Sequence, residues 1–152
     1  SYVGIDPGLS GGIAVIDESY CDITSMPPTE RDIWDWLRGH DLSNTFAVIE
    51  KVGGFIQGNP SPGSAMFKFG WNYGGLRMAL VACSIPFEEI PPQRWQKALG
   101  ISPRGKTESK GQFKNRLKAK AAQLFPSVKV TLYVADALLI AEYCRRKRTG
   151  TL

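Results

Sequence analysis

The sequence has little of what cysteine- and histidine-based sites need. Cysteine occurs only at Cys21, Cys83 and Cys144, and histidine only at His40. No Cys-x-x-Cys or Cys-x-x-His spacing is present, which leaves reduced, ordinary cysteines of a cytosol-like compartment as the simple expectation. His40 follows Gly39 at the end of an expected helix, a solvated rather than a catalytic position. No stretch approaches the roughly 20 apolar residues that span a bilayer. A signal peptide is not legible either, because the apolar start is broken at once by Asp6, Pro7 and Gly8. Since residue 1 is Ser, a processed or trimmed chain is expected. Internal repeats and a dividing linker are also missing.

What is present fits one folded unit. The chain has 152 residues, of which 43% are hydrophobic, enough to build one core. The net charge of +5 hides an asymmetry. Residues 1–76 carry 4 Lys and Arg against 9 Asp and Glu, whereas residues 77–152 carry 15 against 5. An acidic half joined to a basic half suggests a charged polymer as partner, with the acids engaged in something other than neutralising the bases.

Periodicity predicts an α/β domain spanning residues 1–152. Strands are expected at Tyr2–Ile5, Gly12–Asp17 and Cys21–Met26, joined by turns short enough for antiparallel neighbours. Thr29 is the expected N-cap of a helix that ends at Gly39. Phe46–Ile49 is apolar throughout, as a central parallel strand should be. Residues 53–64, rich in Gly, Pro and Ser, form a loop long enough to suspect function. A long helix is expected over Ser64–Cys83, a fifth strand over Phe87–Ile90 and a short helix over Pro91–Leu99. After a polar loop at 100–111, helices are expected over Gln112–Phe125 and Ala135–Arg146. Three antiparallel strands followed by alternating helices and strands make a mixed sheet.

Three acids stand at the ends of these elements. Asp6 follows the first strand, Glu50 follows the fourth, and Asp136 begins an apolar helix able to pack across the sheet. Functional groups of open α/β sheets gather beyond the carboxyl ends of the strands. Three close carboxylates repel unless a cation binds. Oxygen ligands select Mg²⁺ or Mn²⁺ over zinc, and a pair of such ions can activate water and stabilise a leaving oxygen in phosphodiester cleavage. Taken singly, each acid also has a plain structural role: a turn residue at Asp6, a solvated strand end at Glu50, a helix start at Asp136.

The segments IleAspProGlyLeuSerGlyGlyIleAla, ValIleGluLysVal and AlaAspAlaLeuLeuIleAla, in this order, resemble the RuvC-like Holliday junction resolvases of phages, bacteria and plastids. SerAlaMetPheLysPheGly followed by GlyGlyLeuArg looks like their dimer helix. That helix and the ProGlnArgTrpGlnLys segment make the phage or plastid type the nearest likeness. The resemblance implies an RNase H-like fold with a mixed five-stranded sheet, three strands antiparallel and two parallel. It implies a homodimer that makes paired, Mg²⁺-dependent nicks across a four-way DNA junction in recombination and repair. Asp6, Glu50 and Asp136 carry over as metal-binding catalytic acids. Mn²⁺ is expected to substitute for Mg²⁺, with two ions per site and the second weak. The weakness follows from a departure: where the family has a further metal-site residue, three or four positions before the last Asp, this chain has Tyr133 and Leu132. The implied partners are branched DNA and a second copy, with no membrane and no small-molecule cofactor. The implied location is cytoplasmic and DNA-associated, or a plastid if a transit peptide has been removed.

Bases and aromatics fill out the expected site. Arg104, Lys106, Lys110, Lys114 and Lys118 form a basic set, and Lys110, Lys114 and Lys118 share one helix face if the helix begins early, opposite an apolar face of Phe113, Leu117, Ala121 and Leu124. Such a stripe suits a phosphate backbone, although a solvated helix face has the same pattern. The resemblance also implies a catalytic Lys before this helix, for which Lys110 is the match and Lys106 the alternative. Phe55 is either the family's base-stacking wedge or a core anchor. The long helix has two apolar stripes, Met66, Phe69, Tyr73, Leu76 and Leu80 on one side and Phe67, Trp71, Gly74 and Met78 on the other. The second stripe is the expected dimer interface. Two other functions remain open: a junction-binding protein with little cleavage, because of the missing acid near Tyr133, and an ATPase of the actin or sugar-kinase type, whose first phosphate loop residues 5–17 also resemble.

Overall fold

The computed structural model describes residues 1–53 and 63–152. The order of elements is β1 (Tyr2–Asp6), β2 (Gly12–Ile16), β3 (Cys21–Ser25), α1 (Glu30–Arg38), β4 (Phe46–Glu50), α2 (Gly63–Ala82), β5 (Phe87–Ile90), α3 (Pro92–Ala98), α4 (Lys110–Leu124) and α5 (Ala135–Thr149). The five strands make one sheet in the order β3-β2-β1-β4-β5. β1, β2 and β3 pair antiparallel, and β4 pairs parallel with both β1 and β5. This is the mixed sheet expected from the sequence.

Alternation along the strands assigns the two faces. Val3 and Ile5 of β1, with Ala47 and Ile49 of β4, point into a core closed by Ile33 and Leu37 of α1 and Leu76 and Leu80 of α2. Tyr2 of β1, with Phe46 and Val48 of β4, faces the other core, closed by α5, Trp95 of α3 and Leu117 and Ala121 of α4. The same alternation carries Gly4, Asp6 and Glu50 to this second face. All residues from Ala135 to Cys144 are buried, so the first ten residues of α5 are covered on every side, between the sheet and helices α3 and α4. That explains its apolar run, and each large side chain buried there contributes roughly 1.5–3 kcal/mol.

Capping decides the helix ends. The Thr29 side chain accepts a hydrogen bond from the backbone of Asp32 at 3.1 Å, as expected for α1. Ser109 and Gln112 form a reciprocal capping box, so α4 begins at Lys110, earlier than the apolar periodicity indicated. α5 runs to Thr149 and stops at Gly150, whose φ of 73° lies in the left-handed region that favours glycine. His40 corrects an expectation. Its side chain is only 6% exposed, lying against the Trp36 and Tyr20 rings. Nδ1 meets the Trp36 carbonyl at 2.9 Å and Nε2 meets Asp22 Oδ2 at 3.2 Å. A ring can fold back onto the carbonyls of the helix it follows, and sequence position alone does not reveal it. Among the described residues, no helix is long and apolar enough to cross a membrane.

Candidate metal centre

Two strands and one helix deliver the three acids to one face. Asp6 and Glu50 are the last residues of the neighbouring parallel strands β1 and β4. Asp136 lies in the first turn of α5, which packs mainly on β1. Gly4 makes the close approach possible. A Cβ at this position would lie 2.1 Å from the Ala137 carbonyl oxygen and 2.2 Å from the Ala141 nitrogen. At Gly12, a Cβ would lie 2.8 Å from the carbonyl oxygen of Tyr133, just before α5. Side chains at these two sites would lift α5 and carry Asp136 away from the strand ends.

The three carboxylates act on one another. Burial pushes the Asp6 carboxyl well above its ordinary range, and the charges of Asp136 and Glu50 push it further, against the opposing pull of Lys114. Burial raises Glu50 to about 7, helped by Asp136 and opposed by a Trp95 hydrogen bond and by Lys114. The indole Nε1 of the fully buried Trp95 donates to Glu50 Oε2 at 2.8 Å and orients that carboxylate. Asp136 is 4% exposed. Its Oδ2 accepts from the Lys114 ammonium, while its Oδ1 is buried without a hydrogen-bond partner. For Lys114, burial disfavours the charge, yet Asp136, Asp6 and Glu50 together hold the ammonium above its usual pKa.

Two clefts open beside these groups. One, of about 350 Å³, is lined by Glu50, Asp136, Arg104, Lys110 and Lys114 among others. The second, of about 630 Å³, is lined by Asp6, Leu9, Lys110, Lys114, Leu132 and Tyr133 among others. Lys110 and Lys114 border both. A phosphate entering the first cleft would meet Lys110 and Lys114 with Glu50 and Asp136, and one entering the second would meet the same lysines with Asp6.

Among the described residues, no three His, Cys, Asp or Glu side chains converge to the distances of a ready-made metal shell. The donor chemistry nonetheless suits a hard divalent ion: three carboxylates share one field, and one buried carboxylate oxygen lacks a partner. Asp6, Glu50 and Asp136 are the residues that would hold such an ion.

The other expected residues are distributed more widely. Lys110 is exposed at the start of α4, and Arg104 is exposed beside the first cleft. Lys106 is exposed in the loop before α4, and Lys118 is half-buried on α4 and borders neither cleft described above. The lysine face is therefore not simply opposite the core, because Lys114 turns inward to Asp136. Phe55 lies outside the described residues. On α2, Leu76 and Leu80 are buried, whereas Phe67 is 65%, Trp71 60% and Met78 60% exposed, with Gly74 exposed between them. Sequence reasoning missed Trp95 as a partner of Glu50. The only signal was a tryptophan in an otherwise polar short helix, and its reach across β5 to β4 depends on how α3 docks.

No family model matches the chain, and no curated protein matches it. Solved structures do. The structure of Thermus thermophilus RuvC matches with a TM-score of 0.63 at 17% identity, covering 98% of this chain and 96% of that one. T. thermophilus RuvC in complex with Holliday junction substrate matches with a TM-score of 0.62, at the same identity and coverage. From end to end, then, this chain has a RuvC-like, RNase H-like α/β fold.

Proposed function

We propose that the chain is a divalent-metal-dependent endodeoxyribonuclease that resolves four-way DNA junctions in recombination and repair, making paired nicks as a homodimer. The observation that carries this reading is the placement of Asp6, Glu50 and Asp136 on one face of a RuvC-like fold, within one another's electrostatic field and beside two clefts that Lys110 and Lys114 border. One of the structures that the chain resembles is RuvC bound to a Holliday junction substrate. In this reading Asp6, Glu50 and Asp136 hold Mg²⁺, or Mn²⁺ in its place. When bound, the metal supplies a polarised water and neutralises phosphate charge. Trp95 keeps Glu50 turned toward the site. Lys110 offers its ammonium group to the phosphate oxygens. Arg104, Lys106 and Lys118 extend the basic surface for the flanking backbone. The exposed stripe of Phe67, Trp71, Gly74 and Met78 is the proposed contact with the second copy, which would give two sites for two nicks.

A second reading, junction binding with little cleavage, is favoured by the occupied Oδ2 of Asp136 and by the exposed Leu132 and Tyr133 at the cleft rim. A nicking assay on an intact four-way junction and a linear duplex, with and without Mg²⁺ or Mn²⁺, separates the two. Paired, metal-dependent nicks confined to the junction are expected. Asp6→Asn should lose cleavage and retain junction binding. Undiminished cleavage by Asp6→Asn would sink the metal-site reading, and binding without cleavage in both metals would establish the second reading.

A further inference from the structure

One cation already stands among the three acids. The Lys114 ammonium is bonded to Oδ2 of Asp136, and the aspartate side chain is only 5% exposed. The lysine side chain is itself 36% exposed and reaches the buried acid from the clefts that it borders. Its helix is started by the Ser109–Gln112 capping box and anchored one turn on by buried Leu117. α4 in turn packs against α5, which carries Asp136. Helix packing therefore aims the lysine at the acids.

Ligand count then limits what else can enter. A pair of ions roughly 4 Å apart needs carboxylates that bridge them or separate ligands for each. Asp136 has one oxygen engaged by Lys114 and one buried oxygen without a partner, so it can offer only the latter. At the rim of the second cleft, Leu132 and Tyr133 bring no carboxylate.

We infer that the site takes one divalent ion per chain, with the Lys114 ammonium standing beside Asp136 in the place of a second. The inference rests on reading the three acids as metal ligands. Removing the ammonium frees Oδ2, so a second ion should then bind.

Mn²⁺ titration followed by calorimetry and electron paramagnetic resonance tests this, on the free protein and on its complex with a four-way junction. Spin–spin coupling distinguishes two ions in one site from stray ions on DNA. The wild-type chain should take one uncoupled ion per site, Lys114→Met two coupled ions, and Lys114→Arg one. A coupled pair in the wild type would overturn the inference and leave the metal-site reading standing. One ion in Lys114→Met, with unchanged affinity, would overturn the place-holding role. Failure of all three proteins to bind Mn²⁺ would remove both the inference and the metal-site reading. A coupled pair in the wild type overturns the inference even if Lys114→Met does not fold, and Lys114→Gln then takes the place of Lys114→Met as the test of the place-holding role.

Discussion

Glu50 shows how a strand end becomes a chemical group. Its position on the α5 face follows from alternation along β4, and burial there raises its carboxyl to about 7. The consequence for stability has a definite sign. Folded Glu50 keeps its proton up to about 7, whereas the unfolded chain loses it near the ordinary 4.5. Between those values the folded state binds more protons, so stability is fully present below the lower value and is lost as pH rises through the upper. Asp6 is shifted in the same direction. In chelator, the melting temperature should therefore be several degrees lower at about pH 8 than at about pH 5.5, and Glu50→Gln should flatten that dependence. A melting temperature that rises over this window, with a slope indifferent to Glu50→Gln, would refute the assignment. Trp95→Phe removes a hydrogen bond that favours the charged carboxylate, so the same curve should shift to higher pH.

At the scale of elements, the approach of α5 to β1 determines whether Asp136 belongs to the site at all. Gly4 permits that approach by lacking a side chain, and its Cβ would strike backbone atoms, which cannot rotate aside. Gly4→Ala should destabilise the protein by about 3 kcal/mol, the upper part of the usual overpacking range, as read from the urea midpoint. A useful contrast is Gly111, which sits exposed in the first turn of α4, where an added Cβ would meet only Ser109 Oγ, at 4.0 Å. Gly111→Ala should stabilise by about 0.5 kcal/mol through helix propensity. Equal effects from the two substitutions would show that the packing of α5 is not the constraint.

The whole molecule sets two acids of its acidic half, Asp6 and Glu50, beside the lysines of its basic half and leaves an apolar stripe of α2 exposed. Trp71 is on that stripe and donates its indole N–H to Glu30 of α1, so its ring is held in place rather than free. Trp71→Glu should halve the sedimenting mass while the melting curve of the monomer persists. An unchanged mass would take Trp71 out of the proposed interface. Junction affinity should fall steeply with salt, and each of Arg104→Ala and Lys110→Ala should reduce the slope of log affinity against log salt by about 1. A slope unchanged by both would place the phosphate backbone elsewhere.

The order of elements, the sheet type and the two acids at strand ends were legible in the sequence, because local periodicity and turn chemistry act over neighbouring residues. So were the two stripes of α2, one of which is buried at Leu76 and Leu80 while the other is exposed at Phe67, Trp71 and Met78. The tertiary structure decided what depends on contacts between distant elements. Lys114, not marked out from its neighbours by helical spacing, is the lysine that reaches Asp136, because the docking of α4 on α5 selects one position on the stripe. Trp95 meets Glu50 because α3 packs against the same core face. His40 is buried although it follows a helix end, because its ring returns to the last turn of α1. Local pattern names the elements and their faces; which side chains meet across them is set by packing distances that no segment contains by itself.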